Sequence, residues 1–217
     1  MQKHWLIKAG NPDLIVAALG WASDYHAVEG AIPDGYDTLC LYDYRTLEAV
    51  TREETSPYRR TLLLGWSFGV WAAEQTCREL PLDGAWALNG TPLPVDDRFG
   101  IPGRSVLVTL RGIRKAGIET FNRRTYGASY ERMSRYFDDR TPEEKIAELE
   151  NLFEQATRSY TPMLRWKRAV IGTEDVIFPP ANMAAYWQRK ALVVPGMPHY
   201  PFGQPGLIDD LLNNDPQ

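Results

Sequence analysis

The stretch Thr61–Gly69, which reads Thr-Leu-Leu-Leu-Gly-Trp-Ser-Phe-Gly, decides the fold class of this chain. An apolar run typical of a buried strand leads directly into a G-x-S-x-G pattern, and a helix-like stretch, Val70–Gln75, follows at once. The two glycines permit a sharp turn at which a larger side chain would clash. This order of strand, turn and helix predicts that Ser67 is raised above the edge of a sheet, beside a helix N-terminus that favours negative charge.

Five further apolar runs indicate the rest of the sheet. They are uninterrupted rather than alternating, which is typical of parallel strands covered on both faces, and they lie at Leu14–Leu19, Thr38–Tyr42, Gly84–Asn89, Arg168–Gly172 and Lys190–Val194. Helix-like segments separate most of them. The pattern therefore predicts a doubly wound α/β fold with a mostly parallel sheet.

The segment from about Arg98 to Lys167 breaks this alternation. It is rich in arginine and glutamate, contains no convincing strand, and carries a helix-start signal at Thr141-Pro142-Glu143-Glu144. We expect a helical insertion between two strands, placed as a lid over the site. The length of 217 residues fits one such domain, 1–217, better than two full domains.

Composition excludes several classes of protein. The chain is 44% hydrophobic and 24% charged with a net charge of −4, which argues against a general nucleic-acid binder. Cys40 and Cys77 lie in apolar or helical patterns and suit a reducing compartment. With neither a signal peptide nor an apolar run of about 20 residues, we expect a cytoplasmic protein without membrane contact. No metal-ligand spacing or phosphate loop is present, so no cofactor is expected.

A serine hydroxyl needs a base to become nucleophilic at neutral pH, and the chain offers three histidines. His4 lies at the N-terminus, where we expect solvent exposure or an edge strand, and His26 suits a structural role or the pocket mouth. His199 lies in the loop 195–201, after the last predicted strand. Such loops carry the functional side chains of open α/β sheets. His199 is therefore the predicted base for Ser67.

The remaining groups of a hydrolytic site follow from the strand ends. Asp175, after the penultimate predicted strand, is the expected acid that orients the imidazole, with Glu174 as its neighbour and Asp43 as a more remote alternative. An oxyanion hole needs two backbone amides. We assign them to Phe68, which follows the nucleophile, and to Trp21, in the loop after the first apolar run.

The insertion carries a local excess of positive charge. Between Arg104 and Arg135 there are eight basic residues and two acids. Most such residues form a solvated helix face, but a clustered excess in an acidic chain can steer a negatively charged partner. The candidate partner-binding residues are Arg111, Arg114, Lys115, Arg123 and Arg124.

Several of these stretches resemble the BioG family, whose members are small α/β-hydrolases of biotin synthesis. The resemblance rests on Leu19-Gly20-Trp21-Ala22, Gly65–Trp71, Asn89-Gly90-Thr91 with Asp96–Pro102, and Phe178–Asn182 with Tyr186-Trp187. It covers nearly the whole chain. Ala22, where related proteins often have glycine, and Phe68, where methionine or leucine is common, depart from the family pattern without removing a backbone donor.

The resemblance implies an α/β-hydrolase fold and a pimeloyl-[acyl-carrier protein] methyl ester esterase. Ser67 would attack the ester carbonyl, His199 would move the proton, and water would release the acyl-enzyme. Acyl-carrier proteins are acidic, so the basic residues of the insertion suit such a partner. Two alternatives stay open: a broader carboxylesterase or thioesterase, and a protein of this fold that only binds acyl chains or a partner.

Overall fold

The computed structural model describes residues 1–137 and 140–213, and its centre is a seven-stranded sheet. The strands are β1 (Gln2–Ile7), β2 (Asp13–Ala18), β3 (Tyr36–Tyr42), β4 (Arg60–Trp66), β5 (Gly84–Leu88), β6 (Arg168–Gly172) and β7 (Ala191–Val194). The α-helices are α1 (Arg52–Thr55), α2 (Phe68–Thr76), α3 (Gly103–Ala116), α4 (Glu119–Tyr126), α5 (Tyr130–Met133), α6 (Pro142–Ala156), α7 (Pro180–Trp187) and α8 (Leu207–Asn213). Short 3₁₀ helices lie at Tyr25–Val28, Gly127–Ser129, Ser134–Tyr136, Gln188–Lys190 and Pro201–Gly203.

The sheet has the strand order β1-β3-β2-β4-β5-β6-β7. Every neighbouring pair is parallel except β1 and β3, which are antiparallel. Strand β2 lies between β3 and β4 and is buried along its whole length, as its uninterrupted apolar sequence predicts. The predicted doubly wound, mostly parallel sheet is confirmed. Strand β1 was not predicted. An edge strand was considered only for His4, which lies in β1.

Helices cover both faces of the sheet. On one face, Leu14, Val16 and Ala18 of β2 belong to a core that includes Trp71 of α2 and Leu152 of α6. On the other face, Ile15, Ala17 and Leu19 belong to a core with α8 and the loop that follows β7. Because alternate residues of one strand point to opposite faces, each central strand contributes to both cores.

Helices α3 to α6 occupy the predicted insertion between β5 and β6. Within 98–137 and 140–167 the structure contains no strand; Asp138 and Asp139 lie outside the described residues. Helix α6 begins where its start signal predicts, because Thr141 is the N-cap of a capping box with Glu144. Helices α3 and α6 pack against each other, and Val106, Leu110 and Leu149 belong to the same core as Leu14 and Val16 of β2.

Candidate active site

The turn between β4 and α2 holds Ser67 in a backbone conformation that side chains rarely adopt. Its φ is 57° and its ψ is −127°. The Ser67 amide donates to the Leu88 carbonyl of β5 at 3.0 Å, which fixes the turn to the next strand. A Cβ added at Gly69 would lie 2.0 Å from the Ala18 carbonyl oxygen, so only glycine allows α2 to approach β2 this closely. The turn has the form that the G-x-S-x-G pattern predicts.

A continuous chain of polar groups links Ser67 to His199 and Asp175. Nε2 of His199 lies 3.0 Å from Oγ of Ser67, and Nδ1 of His199 lies 2.7 Å from Oδ2 of Asp175. All three residues are buried. With Asp175 ionised, Nδ1–H donates to the carboxylate and Nε2 accepts from the serine hydroxyl. This arrangement can take a proton from Ser67 and stabilise the resulting imidazolium.

The Asp175 carboxylate is held by its own loop. Its Oδ1 accepts hydrogen bonds from the amides of Ile177 and Phe178, both at 2.8 Å, which leaves Oδ2 for His199. Glu174, the neighbouring alternative, is exposed. Among the carboxylates considered from the sequence, Asp175 is the one that the structure brings to His199.

Asp43, the remote alternative, is bound elsewhere. Its carboxylate receives two hydrogen bonds from Arg45, at 2.6 and 2.7 Å. Burial raises the pKa of Asp43, but the hydrogen bond from Arg45 and the charge of Arg140 outweigh this effect and leave that pKa below its ordinary value. Asp43 is therefore a structural anion.

The other two histidines lie away from Ser67. His4 is in β1 and stacks on Tyr25, with ring centroids 3.8 Å apart. Nδ1 of His26 lies 3.1 Å from the Asp24 carboxylate, and the His26 ring also stacks on Tyr25. His26 lines a separate polar cavity beside Asp43, so the pocket-mouth position considered for it is not the one it occupies.

Trp21 and Phe68, whose amides are the predicted oxyanion donors, line the same cavity as Ser67. Phe68 is the first residue of α2, and the leading N–H groups of a helix have no acceptor within the helix. Trp21 follows the last residues of β2 and lines the same cavity as Ser67 and Phe68. Within the described part of the chain, no hydrogen bond joins the Trp21 amide to a protein acceptor. Both residues thus lie at the cavity that opens at Ser67.

A cavity of about 420 Å³ opens at Ser67 and His199. Its lining residues come from the turn after β2, from helices α3, α4 and α6, and from the segment after β6. The walls are mostly apolar; they include Trp21, Phe121, Val108 and Val176. Arg104 and Arg124 are the two arginines that line it. The cavity can accept an apolar chain and also presents positive charge.

Asn89 joins the loops that carry His199 and Asp175. Its Nδ2 donates to the carbonyls of Pro198 at 2.8 Å and of His199 at 3.0 Å, and its Oδ1 accepts from the amide of Gly172 at 2.8 Å. Asn89 is fully buried, and its φ is 45°, a conformation that asparagine tolerates better than most residues. No role was predicted for this side chain, although an asparagine directly after a strand and before a glycine is a turn signal.

Trp66 and Tyr200 complete the support of the histidine loop. The Trp66 indole donates to the His199 carbonyl at 2.9 Å, and the Tyr200 hydroxyl donates to the Ala27 carbonyl at 2.7 Å. The Tyr200 amide donates to the Thr125 carbonyl of α4 at 3.0 Å. The loop is therefore fixed on the side of the sheet and on the side of the insertion.

The five candidate basic residues occupy different environments. Arg111, Arg114 and Lys115 lie on α3, while Arg123 and Arg124 lie on α4. Arg114 forms an ion pair with Glu150 of α6, an acid that lies outside the stretch used for the charge count. Arg123 pairs with Glu119 at 2.8 Å and also contacts Glu131.

Arg124 is the member of this set that reaches the cavity. Its guanidinium donates to the Val176 carbonyl at 2.8 Å, beside the Asp175 loop. Arg111 and Lys115 are exposed and make no ion pair within residues 1–137 and 140–213. The structure thus divides the predicted patch into paired and unpaired cations.

The described residues contain neither a grouped set of metal ligands nor a membrane-spanning helix. In these ranges no three His, Cys, Asp or Glu side chains are grouped so that they could hold a metal ion. No helix in the described part of the chain has the length and apolar composition needed to cross a membrane.

Comparison with known proteins identifies the family. The family model described as pimeloyl-ACP methyl esterase BioG matches residues 1–204. The chain belongs to the BioG family. A crystal structure of BioG from Haemophilus influenzae is 34% identical to this BioG-family chain, covers 94% of it and 95% of its own chain, and has a TM-score of 0.83. The resemblance seen in the sequence is confirmed, and membership of this family supports an ester-hydrolysing enzyme.

Two further proteins resemble this chain in different ways, one in sequence and the other in fold. A malonyl-[acyl-carrier protein] O-methyltransferase from Bacteroides fragilis is 34% identical over 191 residues, which are 83% of this chain and 38% of that protein. The BioG-family chain therefore spans well under half of that relative. A thermophilic esterase from Thermogutta terrifontis is 16% identical, with a TM-score of 0.65 over 98% of this chain and 92% of that one. This likeness concerns the fold alone, and it confirms the α/β-hydrolase fold.

Proposed function

We propose that this protein is a serine carboxylesterase that hydrolyses the methyl ester of a pimeloyl group carried on acyl-carrier protein. One observation carries the proposal: Asp175, His199 and Ser67 are joined at 2.7 and 3.0 Å, at a cavity of about 420 Å³. The description of the BioG family supports the acyl group and its carrier.

In the proposed reaction, Ser67 Oγ attacks the ester carbonyl while Nε2 of His199 takes its proton. The carbonyl oxygen becomes an oxyanion that accepts hydrogen bonds from the Trp21 and Phe68 amides. His199 then gives the proton to the departing methoxide, which leaves as methanol. Water, deprotonated by His199, attacks the acyl-Ser67 ester and releases the free carboxylate. Side chains, backbone amides and water supply every group that this scheme uses.

The cavity suits both parts of such a substrate. A seven-carbon chain gains free energy by leaving water for apolar walls, at roughly 25 cal/mol per Å² of buried surface. Arg104 and Arg124 offer positive charge at the same cavity, which suits an anionic carrier. We further propose that helices α3 to α6, within one domain, form the lid that separates the reacting ester from bulk water.

The name of the Bacteroides fragilis relative indicates which kind of reaction would precede this one. An O-methyltransferase that acts on a malonyl group of acyl-carrier protein produces a methyl ester on that carrier. An esterase of the proposed specificity removes such a methyl group after the chain has been extended. We propose that a carboxyl-methylating enzyme supplies the methyl group that this chain removes.

The test is hydrolysis of pimeloyl-[acyl-carrier protein] methyl ester by the wild type and by Ser67→Ala, beside a short p-nitrophenyl ester. We expect the wild type to cleave the carrier-linked ester and the variant to lose at least about 10⁴-fold in kcat. Cleavage of the short ester alone would leave a broader carboxylesterase and refute the carrier-linked substrate. Cleavage of neither ester by folded wild type would refute the enzymatic function and favour a binding protein.

The partner is tested separately by charge reversal. Among the five candidate cations, Arg111, Lys115 and Arg124 are free of ion pairs within the described ranges, so they carry the proposed contact with the carrier. Reversing Arg111 and Lys115 to glutamate is expected to raise KM for the carrier-linked ester and to leave the short ester unaffected. Arg78→Glu is the control. Arg78 lies just beyond the C-terminal end of α2, and Ser67 precedes the N-terminal end of that helix. Equal effects of both reversals would refute a local docking surface.

A further inference from the structure

Helix α6 carries a buried carboxylate that contacts the loop after β2. Glu148 is fully buried. Its Oε2 accepts from the Ala22 amide at 3.4 Å and from Arg140 at 2.8 Å, and its Oε1 accepts from the Tyr44 amide at 2.9 Å. A buried carboxylate with three donors, one of which is a cation, is retained at considerable desolvation cost. Burial raises the pKa of Glu148, while Arg140 and the Tyr44 amide oppose that rise.

The contacts of Glu148 surround one short loop, Gly20–Ser23. Arg140 donates through its second nitrogen to the Ser23 carbonyl at 2.9 Å, and so binds both Glu148 and the loop. Glu148 accepts a hydrogen bond from the Tyr44 amide, and the Tyr44 hydroxyl donates to the Leu19 carbonyl at 2.8 Å, directly before the loop. The loop is therefore held at both of its ends by residues that bind Glu148.

The same loop contains backbone strain and the proposed oxyanion donor. Ala22 has a φ of 59°, which is unfavourable for a residue with a Cβ and persists only where the surroundings impose it. Trp21, immediately before Ala22, supplies the amide near Ser67. Its indole donates to the Lys145 carbonyl of α6 at 2.7 Å. Helix α6 thus determines both the side-chain and the backbone position of Trp21.

We propose that Glu148, together with Arg140, is a positioning residue for the esterase reaction that holds the Trp21 amide where the oxyanion forms. This inference rests on the proposed function. Glu148 touches no substrate atom and acts through the loop.

Glu148→Gln tests the proposal because every partner of the carboxylate is a donor. The amide retains the volume but turns an NH₂ group toward one of those donors, which displaces the loop. Since removal of one oxyanion donor reduces kcat by 10²- to 10³-fold, we expect displacement to reduce kcat for the p-nitrophenyl ester by about 10- to 100-fold. KM is expected to change by less than about threefold, because the lost interaction is made in the transition state.

Glu74→Gln is the matched control. Glu74 is also buried and also accepts three hydrogen bonds, from the Met163 and Leu164 amides and from the Trp166 indole, but it contacts neither Trp21 nor Ala22. We expect a comparable loss of stability with kcat within about twofold of wild type. Equal losses of kcat in both variants would mean that Glu148 has only a structural role and would overturn the proposal.

Two further measurements keep the result decisive. The affinity of a trifluoromethyl ketone, which forms an oxyanion on Ser67, should weaken in Glu148→Gln in parallel with kcat/KM. If Glu148→Gln does not fold, Arg140→Lys is the substitute test. It preserves the cation beside Glu148 and removes the second nitrogen, which donates to the Ser23 carbonyl. The kcat of this variant should fall by about 3- to 10-fold. A folded variant of either kind with wild-type kcat overturns the proposal.

The rate of Ser67 labelling by a fluorophosphonate separates this inference from the proposed function. That reaction also places an oxygen in the oxyanion site but needs no ester substrate. If the wild type labels and hydrolyses no ester, the proposed function fails, while slower labelling of Glu148→Gln than of Glu74→Gln still supports positioning. Equal labelling rates in the two variants would overturn the positioning role alone.

Discussion

Replacing Asn89 by alanine removes the bridge between the two loops that carry His199 and Asp175. The His199 carbonyl keeps its hydrogen bond from Trp66, but the Gly172 amide and the Pro198 carbonyl lose their Asn89 partner. The buried Gly172 amide then costs about 1–3 kcal/mol and the part-buried Pro198 carbonyl about 1 kcal/mol. The left-handed backbone at residue 89 adds about 1 kcal/mol for alanine.

The free energy of unfolding is therefore expected to fall by about 3–5 kcal/mol in Asn89→Ala. For a chain of this length, that corresponds to a decrease in Tm of about 6–20 °C. Because both loops move relative to Ser67, kcat should fall at least about tenfold at a temperature where the variant is folded. Urea unfolding, a thermal melt and p-nitrophenyl ester kinetics measure the three effects.

Asn182→Ala is the control for this substitution. The Asn182 amide also donates two hydrogen bonds, to the Asp97 and Gly100 carbonyls, but it is half-buried and does not line the cavity at Ser67. We expect a loss of about 1 kcal/mol with unchanged kcat. An Asn89→Ala protein with stability within about 1 kcal/mol of wild type would refute the hydrogen-bond argument, and a destabilised protein with unchanged kcat would refute the link between Asn89 and the site.

Three other outcomes follow from the structure. Hydrogen bonds from Arg59 and Arg60 lower the pKa of Asp13 from 3.8 to about 2. The stabilisation that the ionised carboxyl gives should therefore be present above pH 3.8 and be lost as the pH falls through about 2. Acid unfolding of Asp13→Asn checks this, because the variant should lack that pH-dependent loss of stability. Gly112, in the interior of α3, has open space around its Cβ position, and Gly112→Ala should raise the unfolding free energy by about 1 kcal/mol in urea titrations. Gly69→Ala, whose Cβ would lie 2.0 Å from the Ala18 carbonyl oxygen, should abolish folding or fluorophosphonate labelling, and a folded, fully reactive variant would contradict the packing argument.

The sheet was largely predictable because its central strands are apolar without interruption. The run Arg168–Gly172 was predicted with the bounds it has as β6, and the other predicted runs differ from the observed strands by one or two residues at an end. Strand β1 was not, because its sequence, Gln-Lys-His-Trp-Leu-Ile, begins with three polar residues and the strand pairs only with β3 at the edge of the sheet. Its side chains are exposed or half-buried throughout, so no continuous apolar signal marks it.

The positions of Ser67, Asp175 and His199 could be predicted because parallel strands bring their carboxyl ends to one edge of the sheet. The roles of Asn89 and Glu148 could not, because their contacts join residues that lie 110 and 126 positions apart and leave no local pattern. The ion pair of Arg114 could not be predicted for the same reason. Glu150, which neutralises Arg114, belongs to a later helix.

The separation of the site residues along the chain has a consequence for folding. Ser67 directly follows β4, whereas His199 follows β7 and lies 132 positions later. During synthesis, the nucleophile emerges and its part of the sheet can form long before its base exists. Contacts of such long range close late and slowly. Refolding protein should therefore recover its core fluorescence before its reactivity, and the appearance of a labelled serine marks the moment when the last strands have joined the sheet.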